Sequence, residues 1–193
     1  MQHDPSQTSH YIDDEFSRDL VDMFGEWQLE KNEILERPRR DELCQVLERE
    51  ARLLDDARHT DWLALYAAEC LYWVPASAGG GDPRREVAIA FDDRRRLEDR
   101  VYRLGSEYVW SQQPPSRTSR MVTNVAVFKT GRKNTVMTRS NFLITEFHAG
   151  DYRTWAGWYG HRLHRKEGRW EIMVKQVNLI NYDQNLRNPS ITL

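Results

Sequence analysis

The chain has 193 residues, 39% of them hydrophobic and 30% charged, with Trp 7, Tyr 8 and Phe 6. It is too apolar and too aromatic for a disordered chain, and its length fits one core of roughly 100–200 residues. Lys and Arg number 28 against 30 Asp and Glu, a formal charge of -2, so neither nucleic acid nor an anionic membrane is an expected partner.

Cys44 and Cys70 lie far apart, each beside apolar residues, and read as buried thiols of a reducing compartment rather than a disulfide. The first residues lack a basic segment leading into an apolar run, and nowhere are there about 18 consecutive apolar residues. A cytoplasmic protein that does not span a membrane is expected.

Residues 1–38 are polar, with a weak helical pattern at Phe16, Leu20, Met23, Phe24 and Trp27 and a stop at Pro38; they form an expected N-terminal arm. Residues 39–193 form the expected single domain. From Arg39, Leu43, Val46, Leu47, Glu50, Ala51 and Leu54 fall at helical spacing, ending near Asp55 or Asp56. A short helix opening at Thr60 would carry Trp62, Leu65 and Tyr66 on one face. Cys70–Val74 reads as a strand closed by Pro75, and Gly79–Gly81 sits in a loop. Val87, Ile89 and Phe91 alternate as a short strand, after which Asp92 or Asp93 caps a helix through Leu97, Val101 and Leu104, with Gly105 beyond.

From Glu107 the period becomes two. Met121–Lys129, Thr135–His148, Tyr152–Arg165 and Trp170–Ile180 are four long strands joined by short turns, an antiparallel meander. Helices followed by such a run predict an α+β fold with the helices packed on one face of a strongly curved, mainly antiparallel sheet. Trp155, Trp158 and Tyr159 occupy both faces of their strand, which points to a covered outer face, with another subunit as one candidate cover.

His161 and His164 are three apart on a strand and point to opposite faces, so they cannot chelate one metal together; they read as solvent- or interface-facing. Two isolated cysteines with this spacing supply neither a Rieske cluster nor a two-histidine, one-carboxylate iron site. No Gly-x-Ser-x-Gly elbow and no phosphate-cradling glycine loop occurs. The stretch Asp92–Arg100 mixes both signs on a helix and reads as a solvated or subunit-contacting face. The segment Gln113-Pro114-Pro115-Ser116-Arg117-Thr118-Ser119-Arg120-Met121-Val122-Thr123-Asn124 is more pointed: a rigid Pro-Pro loop delivers two arginines and an asparagine at the start of a strand. Arginine forks suit carboxylates or carbonyls, either on a partner or within the domain.

Several segments together resemble the small (beta) subunit of aromatic-ring-hydroxylating dioxygenases, the Rieske non-haem iron oxygenases. They are Glu50-Ala51 to Leu54-Asp55, Trp62 and Leu65, Tyr72-Trp73-Val74-Pro75, Asp92-Asp93, Leu97 to Arg100-Val101, Trp110, Pro114 to Thr118, Val122 to Val125, and Trp170-Glu171-Ile172 to Lys175-Gln176-Val177-Asn178-Leu179. The resemblance runs in order over about residues 40–181. It implies a cone-shaped fold similar to nuclear transport factor 2 (NTF2-like, cystatin-like) and a structural, non-catalytic role. Three such chains would trimerise beneath three large (alpha) subunits in a hexamer. The Rieske [2Fe-2S] cluster, the mononuclear Fe(II) and the aromatic substrate would belong to the large subunit, with ferredoxin and reductase delivering electrons. Candidate intersubunit contacts are Pro114, Pro115, Arg117, Arg120, Asn124, Trp155, Trp158 and residues 187–193. The alternative is a stand-alone enzyme of dehydratase or isomerase type, with Tyr66, Tyr72, Asp92 or His161 moving a proton in the cone.

Overall fold

The computed structural model describes residues 12–83, 85–105, 114–184 and 191–193. Helices α1 (Asp14–Gly25), α2 (Arg37–Asp55) and α3 (His59–Leu63) precede strands β1 (Tyr66–Pro75) and β2 (Ala88–Asp93). Helix α4 (Arg94–Leu104) leads to β3 (Arg117–Lys129), β4 (Thr135–His148), β5 (Asp151–Lys166) and β6 (Arg169–Leu179). One six-stranded sheet has the order β2-β1-β6-β5-β4-β3, antiparallel except for the parallel β1–β6 pair. Helices on a mainly antiparallel sheet make the α+β fold expected from the period change, and β3 to β6 form the meander.

Helices pack on both faces of the sheet and not on one as expected, because α1 of the N-terminal segment buries its own apolar stripe on the outer face. On the inner face Leu43 and Leu54 of α2, Trp62 of α3 and Leu97 of α4 pack on Tyr72, Phe142, Tyr159, Leu163 and Val177. On the outer face Phe16 and Leu20 of α1 pack on Leu71, Trp73 and Val174; burying each of those two apolar side chains is worth about 1.5–3 kcal/mol. Next to them Trp27 seals Phe128 and Met137. The alternation in Cys70-Leu71-Tyr72-Trp73-Val74 therefore places residues in two different cores, which is why β1 reads as a continuous apolar run.

Several expectations change. Helix α1 begins at an Asp13 cap, whose Oδ1 accepts the Phe16 N–H at 2.8 Å, and ends at Gly25. Pro38 does not stop it: Pro38 lies in the first turn of α2, where a missing N–H costs nothing. From residue 12 on, the expected arm packs on the same chain, with Asp19 holding Arg162 at 2.5 Å and Arg132 besides. Trp27 of the same chain packs against Trp158 and covers part of it. Tyr66 belongs to β1 rather than to α3, because α3 ends at Leu63. Asp93 is the cap of α4, its Oδ1 accepting the Arg96 N–H, and β3 begins four residues earlier than the apolar alternation marks. Strand onset at Glu107 and the matched Trp110 lie outside the described residues.

Candidate functional site

The strand register lines up one polar row across the sheet. Asp92 pairs with Tyr72, Tyr72 with Lys175, Lys175 with His161 and His161 with Thr138. Directly opposed residues point to the same side, here the inner side. Above the row lies α2, whose buried stripe Leu43, Leu47, Glu50, Leu54 interposes one carboxylate among leucines. Glu50 is 2% exposed, Lys175 1% and His161 0%.

Glu50 is engaged through both oxygens. Its Oε1 accepts from Lys175 Nζ at 3.0 Å, Trp62 Nε1 at 3.1 Å and the Tyr66 hydroxyl at 3.2 Å, and its Oε2 lies 3.1 Å from His161 Nε2. A carboxylate offers about four lone-pair sites, two on each oxygen; here three donors crowd Oε1 and one meets Oε2. Burial alone would raise the Glu50 pKa, but the Lys175 charge and the His161 hydrogen bond outweigh it and hold the carboxyl well below its ordinary range. Burial lowers the pKa of His161, with Glu50 opposing in part, so the imidazole is neutral and donates through Nε2. Burial also lowers that of Lys175 against the pull of Glu50. The cluster is an internal ion pair with three neutral donors.

The proton-transfer candidates are brought together, but each is engaged. The Tyr66 hydroxyl serves Glu50, and burial raises its pKa well above the ordinary value. The Tyr72 hydroxyl accepts the Leu193 N–H at 2.9 Å and donates to the Leu193 backbone oxygen at 3.2 Å; burial pushes it up to about 12. Asp92 is bound by Arg100 at 2.5 Å. Of these four candidates, His161 has a buried ring nitrogen, Nδ1, with no hydrogen-bond partner among the described residues. His161 is therefore neither solvent- nor interface-facing, and His164 Nδ1 lies 3.2 Å from the Thr135 hydroxyl. Glu50 and Lys175 were missed as a site. The available signal was a charge on each buried stripe, Glu50 at leucine spacing and Lys175 two residues before Val177.

The contact candidates separate into two groups. Pro114, Pro115, Arg117 and Asn124 are exposed. The Arg117 guanidinium lies 4.7 Å from the Phe147 ring centre, and Asn124 takes φ 52° in the bulge of β3 between Thr123 and Ala126. Exposed Met121 and Tyr152 lie on the outer face with Arg117, and Tyr152 packs on Phe147. By contrast, Trp155 is 5% exposed: it faces inward opposite Ile144, and its indole N–H donates to Glu146 at 3.0 Å. Trp158 is half-buried between Trp27 and Arg139. Arg120 is an internal tie, its fork joining Asp55 and the Thr192 carbonyl, each at 2.5 Å. Residues 187–190 lie outside the described residues, and Ile191–Leu193 are buried against their own chain. The charged helix is also partly internal, since Arg94 reaches the carbonyls of Leu63 and Tyr66 at 3.1 Å and pairs with buried Glu98.

The donor set does not fit an iron–sulfur cluster, which needs thiolates. Burial pushes the Cys70 thiol up to about 12 and also raises Cys44. Among the described residues no three His, Cys, Asp or Glu side chains gather as metal ligands, and no helix is long and apolar enough to cross a membrane.

Helices packed on a six-stranded, mainly antiparallel sheet are the fold of NTF2-like, cystatin-like domains. An NTF2-like protein with a cystatin-like fold from Novosphingobium aromaticivorans matches 80% of the chain, covering 88% of that structure, at TM-score 0.54 and 13% identity. Naphthalene 1,2-dioxygenase with indole bound in the active site matches 94% of the chain and 95% of its own at TM-score 0.74 and 18% identity, a likeness of fold. The family model described as "Ring hydroxylating beta subunit" matches residues 49–183, and the chain belongs to that family. The small oxygenase component of the p-cumate 2,3-dioxygenase system of Pseudomonas putida is 31% identical over 145 residues, 72% of this chain and 78% of the relative. The 2-halobenzoate 1,2-dioxygenase small subunit of Burkholderia cepacia is 42% identical over 86 residues, 42% of this chain. The chain thus spans about half (52%) of that relative's length.

Proposed function

We propose that this chain is a structural, non-catalytic subunit of an aromatic-ring-hydroxylating dioxygenase. In this reading it associates as a trimer and supports three large subunits, which carry the Rieske [2Fe-2S] cluster, the mononuclear Fe(II) and the aromatic substrate and receive electrons through ferredoxin and reductase. The observation that carries it is the engaged Glu50: in the interior where a related fold could do proton chemistry, this carboxylate is held by Lys175, Trp62, Tyr66 and His161. Membership of the beta-subunit family supports the same reading. The contact surface is proposed at Pro114, Pro115, Arg117 and Asn124, joined by the exposed Met121 and Tyr152.

The test is the native mass and iron content of this chain purified from its source cells. A large complex containing a second, iron-bearing chain is expected; an iron-free particle of this chain alone would overturn the proposal. In that complex Arg117→Glu is expected to release the small subunit at moderate salt without changing its own melting temperature, because the Arg117 side chain stacks only on Phe147 at the surface. Full retention of assembly would remove Arg117 from the contact surface.

A further inference from the structure

Ile191, Thr192 and Leu193 are held in an unusual way for buried residues. They belong to no strand or helix, yet they are 8%, 5% and 3% exposed. Side chains of the domain grip their main chain. The Tyr72 hydroxyl both accepts the Leu193 N–H and donates to the Leu193 backbone oxygen, while Arg120 donates to the Thr192 carbonyl at 2.5 Å. Arg120 is itself aimed by Asp55, which accepts its guanidinium at 2.5 Å and its backbone N–H at 2.8 Å and is braced by the Thr118 hydroxyl at 2.9 Å. The apolar side chains of Ile191 and Leu193 join the inner core. The Thr192 hydroxyl is buried without a partner, so no side-chain hydrogen bond reads it.

We infer that this part of the inner face is a docking site for a short, extended, apolar peptide, read through its main chain by Tyr72 and Arg120 and filled by the chain's own residues 191–193. Main-chain recognition with pockets for alternate side chains is the physical signature of extended-peptide binding. Here one hydroxyl serves an N–H and a carbonyl, and one arginine fork serves an aspartate and a second carbonyl. The seat adjoins the polar row, since Tyr72 is the strand partner of Lys175. The tail is then a strap that can be unseated while the sheet persists, and the inference is independent of any partner subunit.

The experiment uses the full-length chain. Leu193→Asp places a carboxylate where an apolar side chain is buried and should unseat the strap. Hydrogen exchange read by mass spectrometry should show at least about tenfold faster exchange at residues 191–193 while β4, β5 and β6 keep their protection. A labelled, C-terminally amidated peptide of residues 188–193 should then bind Leu193→Asp saturably. It should not bind the native chain, whose own strap acts at an effective concentration of about millimolar. Adding Tyr72→Phe, which removes the hydroxyl and keeps the ring, should weaken peptide binding by about tenfold. Loss of strand protection together with the strap would show that 191–193 are an inseparable part of the core. Absence of peptide binding to a folded Leu193→Asp chain would equally overturn the docking site.

Discussion

Glu50 is the residue on which the interior turns. Its carboxylate sits between a buried ammonium and three neutral donors, and removing one partner of such a pair costs more than the pair contributes, because the other charge stays desolvated. Glu50→Gln is therefore expected to lower unfolding stability by about 3–5 kcal/mol in urea titration. Lys175→Met added to it should recover part of that loss, since no bare ammonium then remains. Strict additivity of the two losses would show that the charges do not interact.

The pH dependence follows from the same cluster. His161 has an ordinary value of 6.5 that burial lowers in the folded chain. As pH falls through 6.5 the unfolded chain takes up a proton that the folded chain refuses, so stability declines. Glu50, held below its ordinary 4.5, acts in the same direction at lower pH, since its carboxylate protonates first in the unfolded chain. Stability measured between about pH 7 and 5 should fall, and His161→Gln, which keeps an N–H for Glu50 and cannot titrate, should flatten the slope. The remainder belongs in part to His59, whose value is lowered by burial and then by Arg120. An unchanged slope in His161→Gln would mean that the imidazole binds its proton equally well in the folded and the unfolded chain.

At the level of the elements, the sheet depends on small residues in β5. Gly157 lies between Phe142 of β4 and Leu179 of β6, and a Cβ there would meet the Asn178 carbonyl oxygen at 2.0 Å. The obstacle is backbone, so a rotamer change cannot relieve it. Gly157→Ala should push β6 away from β5 and lower the melting temperature by several degrees, consistent with a loss of about 1–3 kcal/mol. Gly160 does the same service on the outer face, leaving room for Phe24 and Trp27. A melting temperature unchanged in Gly157→Ala would show that β6 can shift freely.

For the whole molecule, the division between internal and external groups decides what a substitution reads. Trp155 and Arg120 are inside, so changing them should alter stability of the isolated chain. Arg117 and Tyr152 are outside, and changing them should alter assembly. Trp155→Ala is expected to cost about 3–5 kcal/mol of stability through lost burial and the lost indole hydrogen bond to Glu146, with unfolding of the purified chain as the measurement. Its proposed partners are then reached through the surface of β3, β4 and β5 and not through the interior.

How much of this was legible beforehand depends on the range of the interaction. Thr135–His148 was readable to the residue, since period two along one strand is a local property, and the Asp93 cap and Gly105 stop of α4 are likewise local. The resemblance carried by Glu50-Ala51, Tyr72 to Pro75 and Pro114 to Thr118 was enough to place the chain in its family. Neither kind of information reveals who pairs with whom. Glu50 and Lys175 are 125 residues apart, and only the parallel β1–β6 pairing and the seat of α2 bring them into contact. The inward turn of Trp155, the tie of Arg120 to Thr192, and the role of Pro38 as a helix opening were decided the same way. Amino-acid order alone determined most of the elements and the family, because those follow from side-chain period and local chemistry. Tertiary structure alone decided which polar groups are spent inside and which remain for a partner, because burial is a property of the packed sheet and not of any segment.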